Sequence, residues 1–483
     1  MRGKLSQNKN LKNMNMAKPK VIIETYGCQM NVADSELIQG ILHEAGMEAA
    51  TSLQEADVIL LNTCAIREKA EARILGRLTN MLPYKRRKPS LKIGVVGCMA
   101  KHLGDEIIRR APYVNFVVGP DNYRRLPEII QETTTESQVL TNFIRDEFYD
   151  GITPRRPRGL CAWITIQRGC NYVCSYCIVP FVRGAERNIP AHEIIHEAKT
   201  LAEQGFSVIT LLGQTVNSYR YEDWDFCKLL KAIAAIDAIE QIRFTSPHPL
   251  GFSDELIELI ATEKKLAKFV HLPLQSASDA VLERMRRGYS FAQFKEIVQK
   301  LRALQADIAV STDIIVGFSG ESEEDYELTK KALIDLRFEF AFLFAYSERS
   351  LSIAARKFPD DVLPEVKQRR LAEIIQIQQN ISKEAFNRWV GRAVPVLIEG
   401  FSTRDKNMAI GNTREFKTTI FPRENYNVGD WVEVQIEAAT SLTLTGRATK
   451  RLKAAKFALE AEEAIDLGIS LGPSPNDDEP EED

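Results

Sequence analysis

Several things are scarce in this chain of 483 residues. No hydrophobic leader follows Met1 and no apolar run approaches the roughly eighteen residues of a bilayer span, so neither a secretory signal nor a transmembrane helix is expected. Cysteine is sparse: eight in all, too few and too scattered for a disulfide scaffold. That points to a reducing, cytoplasmic setting in which thiols are free for metals. Charge of one sign is also lacking. The net charge of -3 conceals six basic and no acidic groups in residues 1–20, against six acidic and no basic ones in 473–483. The middle is therefore nearly neutral, and any contact with RNA must come from local patches, since there is no whole-protein field. The length allows about two to four domains with real cores.

Where cysteine occurs, it is patterned. Cys170, Cys174 and Cys177 stand in the spacing C-x3-C-x2-C, just after the strand-like run 162–166. A structural zinc site wants four ligands, whereas three thiolates on a cubane iron–sulfur cluster leave one iron without a protein ligand. The spacing favours iron, with a zinc knuckle completed by a distant histidine as the alternative. Gly169 lets the backbone approach a bulky group. Cys28, Cys64 and Cys98 each follow an apolar run (21–25, 58–61 and 93–96), at intervals about the length of one strand–helix unit. In a parallel sheet wound with helices all three fall on the carboxyl edge, where ligands bind. A second three-cysteine cluster is expected there, the alternative being ordinary burial of cysteine. Cys161 and Cys227 read as packing residues.

The expected architecture is α/β. A basic tail (1–20), expected to be disordered, precedes a doubly wound parallel-sheet domain (21–145), and a proline-rich, charged linker (146–159) follows. Residues 160–390 hold six strand–helix units, with strands near 162–167, 207–213, 241–245, 269–274, 308–316 and 338–346: a partial, open (β/α) barrel with its site at the carboxyl ends of the strands. Residues 391–455 read as a small antiparallel β-barrel. It carries ten basic and seven acidic residues, with Phe401, Phe416, Phe421, Tyr426 and Trp431 interleaved. These suit RNA backbone and bases, or simply fill the core. An acidic tail (456–483) ends the chain. His192-Glu193-Ile194-Ile195-His196 matches the H-E-x-x-H of zinc metalloproteases, but its extended form wants glycine and histidine where Lys199 and Ala202 stand.

The segments Thr25-Tyr26-Gly27-Cys28-Gln29-Met30-Asn31, Asn62-Thr63-Cys64-Ala65-Ile66-Arg67-Glu68 and Val96-Gly97-Cys98-Met99-Ala100, taken with the 169–177 loop, carry a resemblance. The chain resembles the methylthiotransferases of the radical S-adenosylmethionine (SAM) superfamily from residue 21 to about 450. Within them it is similar to the tRNA enzymes acting on N6-isopentenyladenosine beside the anticodon. Relatives acting on threonylcarbamoyl-adenosine or on a ribosomal-protein aspartate usually show Gly-Cys-Lys or Gly-Cys-Pro-Lys at the first cysteine, and their substrates stand as alternatives.

The resemblance implies a methylthiotransferase domain, a radical SAM barrel and a TRAM domain. It implies two 4Fe-4S clusters, one on Cys170, Cys174 and Cys177 and one on Cys28, Cys64 and Cys98. SAM would lie on the first, with Tyr176 beside the adenine and Gln214, Gln275 and Ser276 as further contacts. Arg183 and Glu186 would orient the base, with Gln29, Asn31, Asn62 and Arg67 near the substrate. An adenine C2–H has no acidic proton and no leaving group, so a radical from one SAM must open it. A second SAM supplies the methyl group of the transferred sulfur. The implied partners are a tRNA anticodon loop, an electron donor such as a flavodoxin and a sulfur source, with no membrane and a monomeric enzyme. Thr215, Asn188, Ile189, Ala277, Ser319 and Ser350-Leu351-Ser352 depart from the family pattern, in the cofactor loops and around substrate contacts.

Overall fold

A computed structural model describes residues 18–65, 68–132, 136–455 and 469–471. Arg67, the first seventeen residues and most of the acidic tail lie outside the described residues.

The first unit is built on runs apolar at every position, which demand cover on both faces. Val21 and Ile23 enter one core with Leu37, Ile38 and Ile41, while Ile22 enters the other with Ile74, Leu78 and Met81. The strands are all parallel, in the order Glu48–Ala49, Lys20–Tyr26, Val58–Thr63, Lys92–Gly97, Phe116–Val118, Gln138–Leu140. Winding reverses between Lys20–Tyr26 and Val58–Thr63, the crevice where such sheets bind ligands. Within the acidic tail, Ile469–Leu471 pairs parallel with Ile23 to Thr25 and extends the row begun by Glu48–Ala49.

Six parallel strands make the second unit. Cys161–Thr165, Val208–Leu212 and Gln241–Phe244 form one ladder, and Phe269–His271, Ala309–Val316 and Phe340–Ala345 another. A bridge between Ile242 and Leu266 joins the two. Alternate residues such as Ile164, Leu211, Ile242, Val270 and Ile314 pack outward on the surrounding helices, and their neighbours line a lumen. Among the described residues no pairing closes Cys161–Thr165 to Phe340–Ala345, so the barrel is open there. The Gln29–Glu44 helix covers the first of these edges, with Met30 and Ala33 against Trp163 and Leu212. The linker is clamped as well. Arg156 bridges Glu36 (2.9 Å) and Glu197 (2.6 Å).

The third unit is a closed barrel of Ala393–Phe401, Met408–Thr413, Thr418–Pro422, Leu444–Lys453 and Trp431–Ala439. Contrary to expectation it is not antiparallel throughout: Thr418–Pro422 and Leu444–Lys453 run parallel. A closed ring of five strands cannot alternate direction all the way round, so one parallel pair is forced. Its aromatics pack, the second of the two expected uses. Phe421, Tyr426 and Trp431 are buried, Phe416 stacks on Phe269 at 5.0 Å, and the Arg423 guanidinium covers Phe401 at 3.8 Å. Arg447, Lys450, Arg451 and Lys453 are exposed along the last strand, paired with Glu437, Glu433, Asp430 and Glu240. This barrel docks where the six strands begin, joining Leu397 and Trp431 to Leu160 and Val208, and Glu399 to Arg243.

Candidate active site

Tyr26 pairs with Thr63, and Thr63 with Gly97, so three strands end in one row. Cys28, Cys64 and Cys98 follow these ends by two, one and one residues. Gly97 makes the turn possible. Its φ is +95°, and a Cβ there would lie 2.5 Å from Asn62 Oδ1. Cys28 is exposed, whereas Cys64 and Cys98 are buried. Cys28 caps the Gln29–Glu44 helix, whose positive end favours a thiolate. The Cys64 thiol as hydrogen-bond partner, aided by the Arg183 charge, draws Cys28 down to about 6, while burial pushes Cys98 up.

Asn31 and Asn62, expected near the substrate, hold the cysteine row. Both are fully buried and bonded together, Asn31 Nδ2 to Asn62 Oδ1 at 3.1 Å and Asn62 Nδ2 to Asn31 O at 2.7 Å. The Cys28 thiol donates to Asn31 Oδ1 at 3.5 Å, so the pair braces the cysteine row. Gln29 is exposed beside Cys28.

The second trio leaves the first barrel strand through Gly169, whose φ is +77°; a Cβ there would sit 2.0 Å from Ala185 O. No other residue type fits that approach. Cys170 Sγ and Thr215 Oγ1 are 3.3 Å apart, Arg287 Nη1 donates to Cys174 Sγ at 3.3 Å, and Val179 N donates to Cys177 Sγ at 3.4 Å. Burial pushes Cys177 up to about 12. Tyr176 packs against Val281, Met285 and Phe318, and its hydroxyl accepts from Arg287 at 3.4 Å. Gln214 Oε1 is buried without a partner, and Gln275 adopts a φ of 73° with its N–H on Asp313 O. Ser276, expected near SAM, is fully buried, and its hydroxyl meets Thr329 Oγ1 at 3.2 Å, tying the loop to the Glu323–Leu336 helix. Thr215 and Asn188, both departures from the pattern, have work here. Gln167 receives Thr215 N at 2.9 Å and donates to Asn188 Oδ1 at 3.1 Å.

The two trios meet. Ile178 and Val182, just past Cys177, pack with Ala65 and Cys98. Arg183 donates from Nε to Cys98 Sγ at 3.0 Å and from Nη2 to Asp34 Oδ2 at 2.8 Å, and Arg168 holds the other Asp34 oxygen at 3.1 Å. Arg183 is thus a buried tie between units. Glu186 accepts from Ser218 at 2.8 Å and Asn188 at 3.1 Å, an anchored position beside the loop. Sequence reasoning missed Arg287, Asp34 and Arg168, for which no motif spacing gives a signal.

Comparison with known proteins decides the family. The chain is 42% identical over 434 residues to the tRNA-2-methylthio-N(6)-dimethylallyladenosine synthase of Chloroherpeton thalassium, covering 89% of this chain and 96% of that one. The synthase of the same name from Porphyromonas gingivalis is 41% identical over 442 residues, covering 89% and 95%. The chain belongs to the tRNA-2-methylthio-N(6)-dimethylallyladenosine synthase family. Within this synthase family chain, residues 20–119 match the uncharacterized protein family UPF0004, 164–333 the radical SAM superfamily and 387–449 the TRAM domain. A solved radical S-adenosylmethionine methyltransferase from Kitasatospora setae shares the fold with a TM-score of 0.52, at 15% identity, over 68% of this chain and 73% of that one.

The side chains fit the clusters that the synthase family carries. Each trio offers soft thiol donors, and each has an arginine N–H on a cysteine sulfur, a contact that stabilises an anionic cluster. Arg183 Nη1 is buried beside Cys98 without a protein acceptor, which a cluster sulfide would supply. His192 and His196 of the H-E-x-x-H segment line a surface cleft with Lys199 and Trp224.

Proposed function

We infer that this chain is a radical SAM transferase that adds a methylthio group to C2 of N6-isopentenyladenosine next to the anticodon of tRNA, using two 4Fe-4S clusters. Family membership supports this substrate over threonylcarbamoyl-adenosine, a ribosomal-protein aspartate or a peptide bond. The structural observation that carries the reading is that the segment just past Cys177, through Ile178 and Val182, packs on Ala65 and Cys98 of the other trio's row.

When bound, the clusters and SAM supply a carbon-centred radical and a transferable sulfur. The chain supplies position and dryness. Cys170, Cys174 and Cys177 would hold the SAM cluster, with Arg287 and Thr215 on its sulfurs and Tyr176, Gln214 and Gln275 around the cofactor. Cys28, Cys64 and Cys98 would hold the auxiliary cluster, kept in place by Asn31, Asn62 and Arg183. Ala65, Ile178 and Val182 pack with Cys98 where the loops carrying the two trios meet and keep water out. Gln29, Glu186 and Arg67 remain candidates for the substrate side. A flavodoxin-like electron donor and a sulfur source complete the proposed partners, for a monomer working in the cytoplasm. No helix among the described residues is long and apolar enough to cross a membrane.

The test of substrate compares one tRNA with and without the isopentenyl group. Burying five carbons at about 0.8 kcal/mol each should favour the modified RNA by two or more orders of magnitude. Equal rates, or conversion of threonylcarbamoyl-modified tRNA alone, would contradict the assignment.

The TRAM unit makes its own prediction. Arg447 and Lys450 project from the last strand beside Glu437 and Glu433. Arg447→Glu and Lys450→Glu should each weaken tRNA binding and flatten its salt dependence by about one unit of slope, as expected when a phosphate contact is lost. An unchanged slope in a salt titration would place the RNA elsewhere.

A further inference from the structure

The H-E-x-x-H segment lies outside the cluster chemistry but borders it. Cys161–Thr165 ends at the cysteine loop, so the Ala191–Glu203 helix that returns from that loop starts at the rim of the site. His192, His196 and Lys199 follow one another along this helix at turn spacing, and all three are exposed. Among the described residues none of these side chains has a hydrogen-bond or ion-pair partner. The exposed cations on the last TRAM strand differ, since each of those has a carboxylate.

A short ribbon, Arg220–Tyr221 paired with Trp224–Asp225, stands beside the helix. Tyr221 is the register partner of Trp224, so the two rings share one face of the ribbon. Arg220 and Asp225 form an ion pair at 3.2 Å. Both rings are half-buried against the helical core of the barrel, and with the helix they line a cleft of about 440 Å³. Glu222, at the tip of the ribbon, is the one acidic residue lining it. Helix and ribbon are stapled next to the cysteine loop, where Tyr219 Oη donates to Ile189 O at 2.7 Å. Ser218, one residue earlier, donates to Glu186 at 2.8 Å, and Thr215 Oγ1 lies 3.3 Å from Cys170 Sγ. The cleft is therefore continuous with the rim of the active site.

We propose that this cleft takes an unpaired base of the tRNA anticodon loop, next to the reacting nucleotide, stacked on Trp224 and Tyr221 with its phosphate at Lys199. Rows of rings beside a cation are the chemistry of a single-strand site, because every base has a π face and every nucleotide a negative charge. Histidine rings serve such stacking as well. Drawing one nucleotide into the barrel takes a stacking partner from its neighbour, and the cleft offers that neighbour another. An apolar peptide side chain would cover the rings but leave Lys199 without a counter-charge; a nucleotide satisfies both. This inference rests on the tRNA reading and goes further in naming a second RNA contact, apart from the reacting base. The rings that meet RNA then belong to the barrel rim, while those of the TRAM unit fill its interior.

The test uses the cluster-loaded, full-length enzyme, an intact prenylated anticodon stem–loop and a set of stem–loops each lacking the base at one loop position. Wild type should bind the intact stem–loop more tightly than a plain duplex of the same stem; if it does not, the tRNA reading fails before the cleft is tested. Given that preference, loss of one loop base beside the reacting nucleotide should weaken wild-type binding by roughly tenfold. Trp224→Ala should weaken binding of the intact RNA by as much, and should add no further loss with that one abasic RNA, because the two changes remove the same contact. Trp224→Phe, which keeps a ring, should retain most of the affinity. Lys199→Gln, an exposed change, should lower the salt slope of binding by about one. If Trp224→Ala fails to hold iron, His196→Ala, also exposed, takes its place in the same cycle. Wild-type affinity in both the ring variant and Lys199→Gln would overturn the proposal and leave the cleft to a protein partner. So would a loss that adds equally to every abasic position, which would mean that Trp224 acts on the fold and not on a base.

Discussion

Changing Cys28, Cys64 and Cys98 together to alanine is expected to end formation of methylthio product while 5'-deoxyadenosine continues to form from SAM. The reverse triple change, at Cys170, Cys174 and Cys177, should end both. The trios come from different sheets and are braced separately, one by Asn31 and Asn62 and the other by Gly169, Thr215 and Arg287. Removing one set therefore leaves the other loop's own hydrogen bonds intact. Iron should fall from about eight to about four per chain in either variant. Nucleoside analysis by mass spectrometry reads the product. Methylthio product from the Cys28, Cys64, Cys98 variant would mean that sulfur comes from somewhere other than this row.

The second large effect is expected at Asp34, a residue outside every motif. It is fully buried and is the counter-charge for Arg168 and Arg183, both nearly inaccessible, with Tyr123 OH at 3.4 Å as a further partner. Breaking a buried pair from one side strands a charge and costs about 3–5 kcal/mol. Asp34→Ala strands two. It should lower the unfolding midpoint sharply and release iron from the Cys98 side first, because Arg183 loses the partner that aims it at that sulfur. Adding Arg183→Met should recover part of the stability but not the activity, since the charge is gone but the contact with Cys98 is gone as well. A midpoint for Asp34→Ala within a degree or two of wild type would show that solvent or another anion reaches the arginines.

Much of this was legible in the chain because burial on both faces leaves a mark. Runs such as Val58 to Leu61 can only be interior strands, and the cysteines after them inherit a position on the sheet edge. The C-x3-C-x2-C loop was equally plain, since its ligands are local. Contacts assembled from afar were not. Arg287 reaches Cys174 across more than a hundred residues, and Asp34 collects arginines from another unit. The bonds that hold Asn31, Asn62 and Ser276 were not legible either: the two asparagines turn inward to hold the strand ends together, and Ser276 meets Thr329. The aromatics of the small barrel show how little composition says about direction, because a five-stranded ring needs such rings to fill its interior.

The tie through Arg183 also bears on how the first unit is seated. In the folded chain Asp34 holds both arginines at once, and one of them holds Cys98. The position of the Cys98 row against the barrel is thereby set when the chain folds.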